Sequence, residues 1–131
     1  DYSSSASIND GTGLPGCGAE GTMPVGSKPL GVSPYGAYDM IGNVYEWAVD
    51  WFSNDYYDET PGEGWVNPQG PSSSPDSLRV IRGGAFGQWG WGSYNYLNLQ
   101  SLRSSGRTGS RPADWVYSHW PNIGFRCVKS R

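Results

Sequence analysis

Tyr35-Gly36-Ala37-Tyr38-Asp39-Met40-Ile41-Gly42-Asn43-Val44-Tyr45-Glu46-Trp47-Ala48-Val49-Asp50-Trp51-Phe52 is where the texture of this chain changes from turn-rich to patterned. Asp39 to Asn43 reads as a short helical turn, stopped by Gly42-Asn43. Beyond it, Trp47, Val49 and Trp51 alternate with Glu46, Ala48 and Asp50, the period of a strand with one aromatic face. Glu46 and Asp50 suggest an acid/base pair, but four residues along a strand separate them by about 13 Å. That exceeds either carboxylate spacing used in glycoside hydrolysis. They are expected instead to partner backbone amides or arginines.

Upstream, Asp1 to Pro34 is Ser, Gly, Pro and Asn/Asp with scarcely any apolar period, so it reads as loop, with Val25 and Leu30 as its expected anchors. Downstream, Asn54 to Gly64 is acidic and turn-rich, but Asp55, Asp58, Glu59 and Glu63 lack the order of an EF-hand loop. Asn67-Pro68-Gln69-Gly70-Pro71 forces tight turns. Leu78 to Arg82 reads as a second strand, with Val80 alternating against Arg79 and Ile81. Ser101 to Asp114 reads as irregular, and Ile123 to Val128 as a closing strand with Phe125 and Cys127 on one side.

Between these two later strands, residues 85–120 hold eight aromatics, and no charge falls between Ala85 and Leu102. Large rings alternate with Gly, Ser and Asn in no helical rhythm. Such a mixture suits a binding surface, where Trp and Tyr give contact area with few torsions to freeze and small polar residues adapt. It suits equally a β-rich segment whose rings pack inward.

The chain has 131 residues, enough for one domain with one core. Gly 20, Pro 10 and a 36% hydrophobic content make it loop-rich, and no apolar run approaches the roughly 20 residues of a membrane span. It begins at Asp1 without a charged-then-apolar leader, so it reads as a fragment or processed product whose compartment is not legible. Residues 1–76 carry eleven acidic and one basic side chain, and residues 77–131 one acidic and eight basic. Late arginines are therefore expected to pair with early carboxylates. Nucleic acid is not an expected partner, because the pI is near 4.9 and the acidic half repels phosphates despite Arg103, Arg107 and Arg111. Cys17 and Cys127 fit neither a zinc site nor a Cys-x-x-Cys pair. They read either as a disulfide closing a loop of about 110 residues, worth about 4–5 kcal/mol in the entropic description, or as two buried free thiols.

Tyr38-Asp39-Met40-x-Gly42-Asn43-Val44-x-Glu46-Trp47, Asn67-Pro68-x-Gly70-Pro71, Arg79-Val80-x-Arg82-Gly83-Gly84 and Asn122-Ile123-Gly124-Phe125-Arg126 together resemble the formylglycine-generating-enzyme/sulfatase-modifying domain over residues 22–128. The resemblance implies an α+β, C-type lectin-like fold of the formylglycine-generating-enzyme subtype: a single irregular domain over 1–131, with long loops, twisted antiparallel strands and a loop extension over 1–21. The enzymes carry a copper-binding cysteine pair a few residues after Arg-x-Gly-Gly, whereas Ala85 to Tyr96 contains no cysteine. Sulfoxide synthases with this domain need several histidines, and the chain has only His119. A hydrolase built on His119 and Ser118 fails because neighbours in an extended loop point opposite ways. The chain is therefore expected not to be an enzyme.

A second branch with the same fold matches better, the variable proteins of diversity-generating retroelements. Its members vary binding residues between the Arg-x-Gly-Gly strand and the closing Gly-Phe-Arg strand. The resemblance makes Gln88, Trp89, Trp91, Ser93, Tyr94, Asn95, Tyr96, Asn98, Trp115, Tyr117, Ser118, His119 and Trp120 the candidate ligand-binding residues. The tryptophans fit that origin less easily, because adenine changes in an Asn codon do not produce Trp. Protein is the expected ligand, because the Glu-Pro-Asn, Gln-Pro-Asp and Trp-Asn-Asp triplets of sugar-binding lectins do not occur; carbohydrate stacking on rings is the alternative. No cofactor is expected. A structural calcium ion, as in the related enzymes, would use Asn43 and Glu46. Display on a cell surface, on a virion or by secretion suits this function; the alternatives are a fixed-specificity carbohydrate-binding or adhesin-like domain, or a formylglycine-generating-enzyme homologue with lost catalytic cysteines.

Overall fold

The computed structural model of the chain describes residues 22–58, 66–86, 102–113 and 122–127. Four strands form one small mixed sheet: β1 (Tyr45–Trp51), β2 (Arg79–Arg82), β3 (Thr108–Ser110) and β4 (Ile123–Gly124), in the order β3-β2-β1-β4. β1 runs antiparallel to β2 and parallel to β4, and β2 runs antiparallel to β3. Helical structure among the described residues is slight. Pro29–Gly31 forms a 3-10 turn, for which the fixed φ of a leading proline is suited, and positions 112 and 113 are helical.

β1 forms where the aromatic and β-branched run predicts it, but its alternation is broken. Trp47 faces Ile81 and Trp51 faces Arg79, so four steps on β1 match two on β2. The surplus residues bulge out. Val49 consequently leaves the aromatic face and is 85% exposed. Arg79 occupies the space this creates: its guanidinium lies 3.5 Å from the centre of the Trp51 ring, and its Nη1 donates to the Val49 carbonyl.

β2 lies between two strands and is covered on both faces. Val80 and Ile81, which point opposite ways, are both buried, so the expected contrast between them does not hold. With Ala85, Phe86 and Leu102 they are the buried apolar residues among those described. Each fully buried Val, Leu, Ile or Phe side chain contributes about 1.5–3 kcal/mol.

β3 is a departure from the irregular segment expected over Ser101 to Asp114. Thr-Gly-Ser has no apolar alternation, and its strand character comes from pairing with β2, Arg79 to Ser110 and Ile81 to Thr108. Gly109 is required by packing. A Cβ there would stand 2.5 Å from Cδ1 and 2.7 Å from Cγ of Phe52. β4 is shorter than the expected Ile123 to Val128 strand and parallel to β1, whereas antiparallel strands were expected; Phe125 and Cys127 beyond it are both exposed. Exposure of Cys127 sets aside the buried-thiol reading for that residue, while Cys17 lies outside the described residues.

Two further expectations change. Asp39 to Asn43 is not a helical turn, since Asp39, Gly42 and Asn43 all have positive φ, at 55°, 78° and 64°, a conformation that right-handed helix excludes. Val25 and Leu30 do not anchor the early loop, since both are exposed. The tight turns at Asn67 to Pro71 are present, with positive φ at Asn67 and Gly70. A Cβ at Gly70 would come within 3.0 Å of the Asp50 Cβ, so this turn packs on β1.

Arg126 pairs with Glu46, and Arg111 with Asp76 at 3.7 Å, as the charge asymmetry implies. Other late arginines bind carbonyl oxygens instead. Arg82 Nη1 donates to Ser104 and Gly106, and Arg107 to Ser53 at 2.7 Å and Asn54 at 3.3 Å while lying over the Tyr57 and Phe52 rings. These contacts fasten loops to the sheet.

Candidate functional site

The segment from Asp39 to Glu46 is the junction at which three distant parts of the chain meet. Gly42 is buried and its amide donates to the Gly83 carbonyl at 2.6 Å. Gly83 must come close for this: a Cβ on it would lie 3.4 Å from the Met40 carbonyl oxygen, and its own φ is +90°. Asn43 then acts through both backbone and side chain. Its carbonyl accepts from the Phe86 amide at 2.9 Å, its Oδ1 accepts from the Met23 amide at 2.9 Å, and its Nδ2 donates to the Met23 carbonyl at 3.2 Å. Asn tolerates left-handed backbone better than most residues, which suits it to this place.

Two residues on, the Tyr45 amide donates to the Asn122 carbonyl at 2.8 Å, and β4 begins. A Cβ on Gly124 would stand 3.2 Å from Val44 Cγ2, so β4 lies tight against the junction. Phe86, just before the aromatic group Gln88 to Asn98, and Asn122, just after the group Trp115 to Trp120, are thus both hydrogen-bonded within Asn43 to Tyr45, while Leu102 and β3 lie between the two groups. Phe86 and Asn122 are buried. The junction fixes the roots of the segment that sequence reasoning singled out.

Arg126 closes the junction from the far side. Its Nε and Nη2 donate to the two carboxylate oxygens of Glu46 at 2.9 and 2.7 Å, and Nη2 reaches the Asp39 carbonyl at 3.4 Å. Hydrogen bonding to Glu46 raises the Arg126 pKa above its ordinary value, against a smaller lowering by burial, with the charges of Glu46 and Asp39 adding to the rise. A raised folded-state pKa means that this contribution is complete below the unfolded value and lost only as pH climbs through the folded one. On the arginine side the pair is therefore constant through neutral pH.

Asn43 and Glu46, the candidate calcium ligands, carry these partners already. The Asn43 oxygen accepts from an amide and both Glu46 oxygens are held by a guanidinium, a donor set that does not fit a cation without displacing Arg126. Nor does the segment after Gly84 fit a thiolate-held copper ion, since Ala85 to Tyr96 offers Gly, Trp, Ser, Tyr, Asn and Gln side chains and no sulfur. Among the described residues no group of three or more His, Cys, Asp or Glu is arranged to hold a metal ion. No helix among them is long and apolar enough to cross a membrane. The thirteen candidate ligand-binding residues, Gln88 to Asn98 and Trp115 to Trp120, lie outside the described residues. Sequence reasoning quoted the Asn122 motif but gave no sign of the roles of Met23 and Phe86, whose partners are backbone atoms or a side chain distant in sequence.

The four quoted motifs meet their relatives here. The sequence profile of the sulfatase-modifying factor enzyme 1-like domain matches residues 5–131. The chain belongs to this family. Among its relatives, the formylglycine-generating enzyme of Streptomyces coelicolor is 37% identical over 94 residues, 72% of this chain and 25% of that protein. The formylglycine-generating enzyme of Mus musculus is 34% identical over 111 residues, 85% of this chain and 25% of that protein. Serine/threonine-protein kinase pkn1 of Chlamydia caviae is 41% identical over 95 residues, 72% of this chain and 13% of that protein. The chain spans about a quarter or less of the length of these three relatives, which carry two different activities in their names. Membership of the sulfatase-modifying family therefore assigns a scaffold and leaves the activity to the residues the scaffold carries.

Proposed function

We propose that the chain is a non-catalytic recognition domain, a variable protein of a diversity-generating retroelement that presents the aromatic groups Gln88 to Asn98 and Trp115 to Trp120 to a protein ligand on a C-type lectin-like scaffold, while Ala85 and Phe86 before them and Leu102 and β3 between them belong to the frame. The observation that carries this is the composition of Ala85 to Tyr96, which replaces the cysteine pair of the enzymes with rings and small polar residues. Thiolate chemistry has no substitute among them, and a surface of this kind binds by area and shape. The junction supports the reading from below. Loops that vary in sequence need fixed roots, and Phe86 and Asn122 are tied to a part of the chain outside the varying segment.

One alternative has an observation in its favour: a formylglycine-generating-enzyme homologue that has lost its cysteines, supported by 31–37% identity to those enzymes. Sequencing this gene across many isolates separates the two. Substitutions concentrated in adenine-bearing codons between Gly84 and Asn122, above the silent background, are expected. Uniform low variation would overturn the retroelement origin, and copper-dependent conversion of a cysteine peptide to its aldehyde by the full chain would overturn the non-catalytic reading.

A further inference from the structure

The strap at residues 22–26 is tied to the junction by polar contacts. Met23 is gripped through both amide and carbonyl by the Asn43 side chain, and the Gly26 amide donates to Asp39 Oδ2 at 2.8 Å. Val25 between them is 87% exposed, so it supplies little burial to hold the strap down. Side-chain hydrogen bonds at a part-buried site open far more readily than a buried strand does.

Asn43 is the shared element. Its side chain takes the strap while its carbonyl takes the Phe86 amide, and it sits in the left-handed region at φ 64°, which Asn visits as a minority conformation, so its side-chain contacts bias it there. Releasing the strap removes both side-chain contacts that hold Asn43 in this conformation and lets its carbonyl swing away from Phe86. We infer that the strap is a latch: its docking on Asp39 and Asn43 fixes the root of the aromatic segment at Phe86, and its release loosens that root. The structural coupling stands independently of ligand binding. Its use, setting how firmly Phe86 is held ahead of the candidate binding residues, rests on the recognition reading above.

Amide exchange measured by NMR on the full chain tests the coupling without any ligand. Asp39→Gly cuts the Gly26 tether, keeps the positive φ that Asp39 has, and leaves Asn43 intact. Met23→Pro removes the amide that Asn43 Oδ1 accepts, again leaving Asn43 in place. In either variant, with the Val80 and Ile81 amides unchanged as proof of the fold, exchange at Phe86 is expected to rise by about threefold to tenfold, the ratio expected for losing one modest hydrogen bond. Phe86 exchange unchanged in the variants that retain the fold overturns the latch. Recognition would survive that result, because a rigid root independent of the strap still supports a binding segment, whereas a failed codon survey would leave the latch standing.

Discussion

Val80 and Ile81 in β2 are 2% and 5% exposed, whereas Val25 and Leu30 in the early loop are 87% and 73% exposed. The two regions contain the same class of side chain and are positioned by different means. β2 is one of the two inner strands of the sheet, and its side chains are buried on both faces, Val80 on one and Ile81 on the other. The early loop is fastened by Asp39 and Asn43 through amides, and its valine and leucine are incidental to that. The difference shows that an apolar residue in a polar stretch marks an anchor only where a sheet face is free to receive it. The sheet supplies stability, and the junction distributes position.

The largest effect that would break this comparison lies at Ile81. Ile81→Ala is expected to cost about 2–5 kcal/mol, the usual range for emptying a buried isoleucine site, measured from the urea midpoint. A cost below about 1 kcal/mol would place the apolar stabilisation outside β2. Next comes Gly109 on β3, where the constraint is closeness and not burial. Gly109→Ala forces the Phe52 ring from 2.5 Å and is expected to cost about 1–3 kcal/mol. The same shift should disturb Arg107, whose guanidinium lies 5.3 Å from that ring while it holds the 53 and 54 carbonyls. Unchanged stability with unchanged Phe52 NMR shifts would show that β3 is free to move off Phe52.

What sequence reading recovered follows the same division. β1 and β2 were legible because aromatic and β-branched residues declare a strand locally. The bulge in β1 was not, since Val49 keeps the alternation in sequence and loses it only through its pairing with β2. β3 was not legible, because Thr108, Gly109 and Ser110 form a strand through backbone pairing with β2 and because Gly109 is demanded by Phe52, 57 residues earlier. Gly42-Asn43 reads as a helix stop, a role in which both residues are common; nothing local says that Asp39 also takes positive φ. The family motif at Tyr38 to Trp47 was visible as a pattern, but its meaning lies in Met23, Gly83, Phe86, Asn122 and Arg126, which only the fold brings to it. The candidate binding residues rest on composition and resemblance, being outside the described residues.

The smallest expected effect is the sharpest test of the comparison. Val25→Ser, like Ile81→Ala, removes an apolar side chain, but at a position already in water. If hydrogen bonds from Asp39 and Asn43 position the strap, the substitution should alter stability by no more than about 0.5 kcal/mol, the ordinary range for surface changes. Met23 and Gly26 amide exchange should also stay at their native rates. A loss of more than about 1.5 kcal/mol would mean that Val25 is covered by another surface in solution. The strap would then be an apolar contact like β2, and the latch at Asn43 would be a consequence of that burial instead of its substitute.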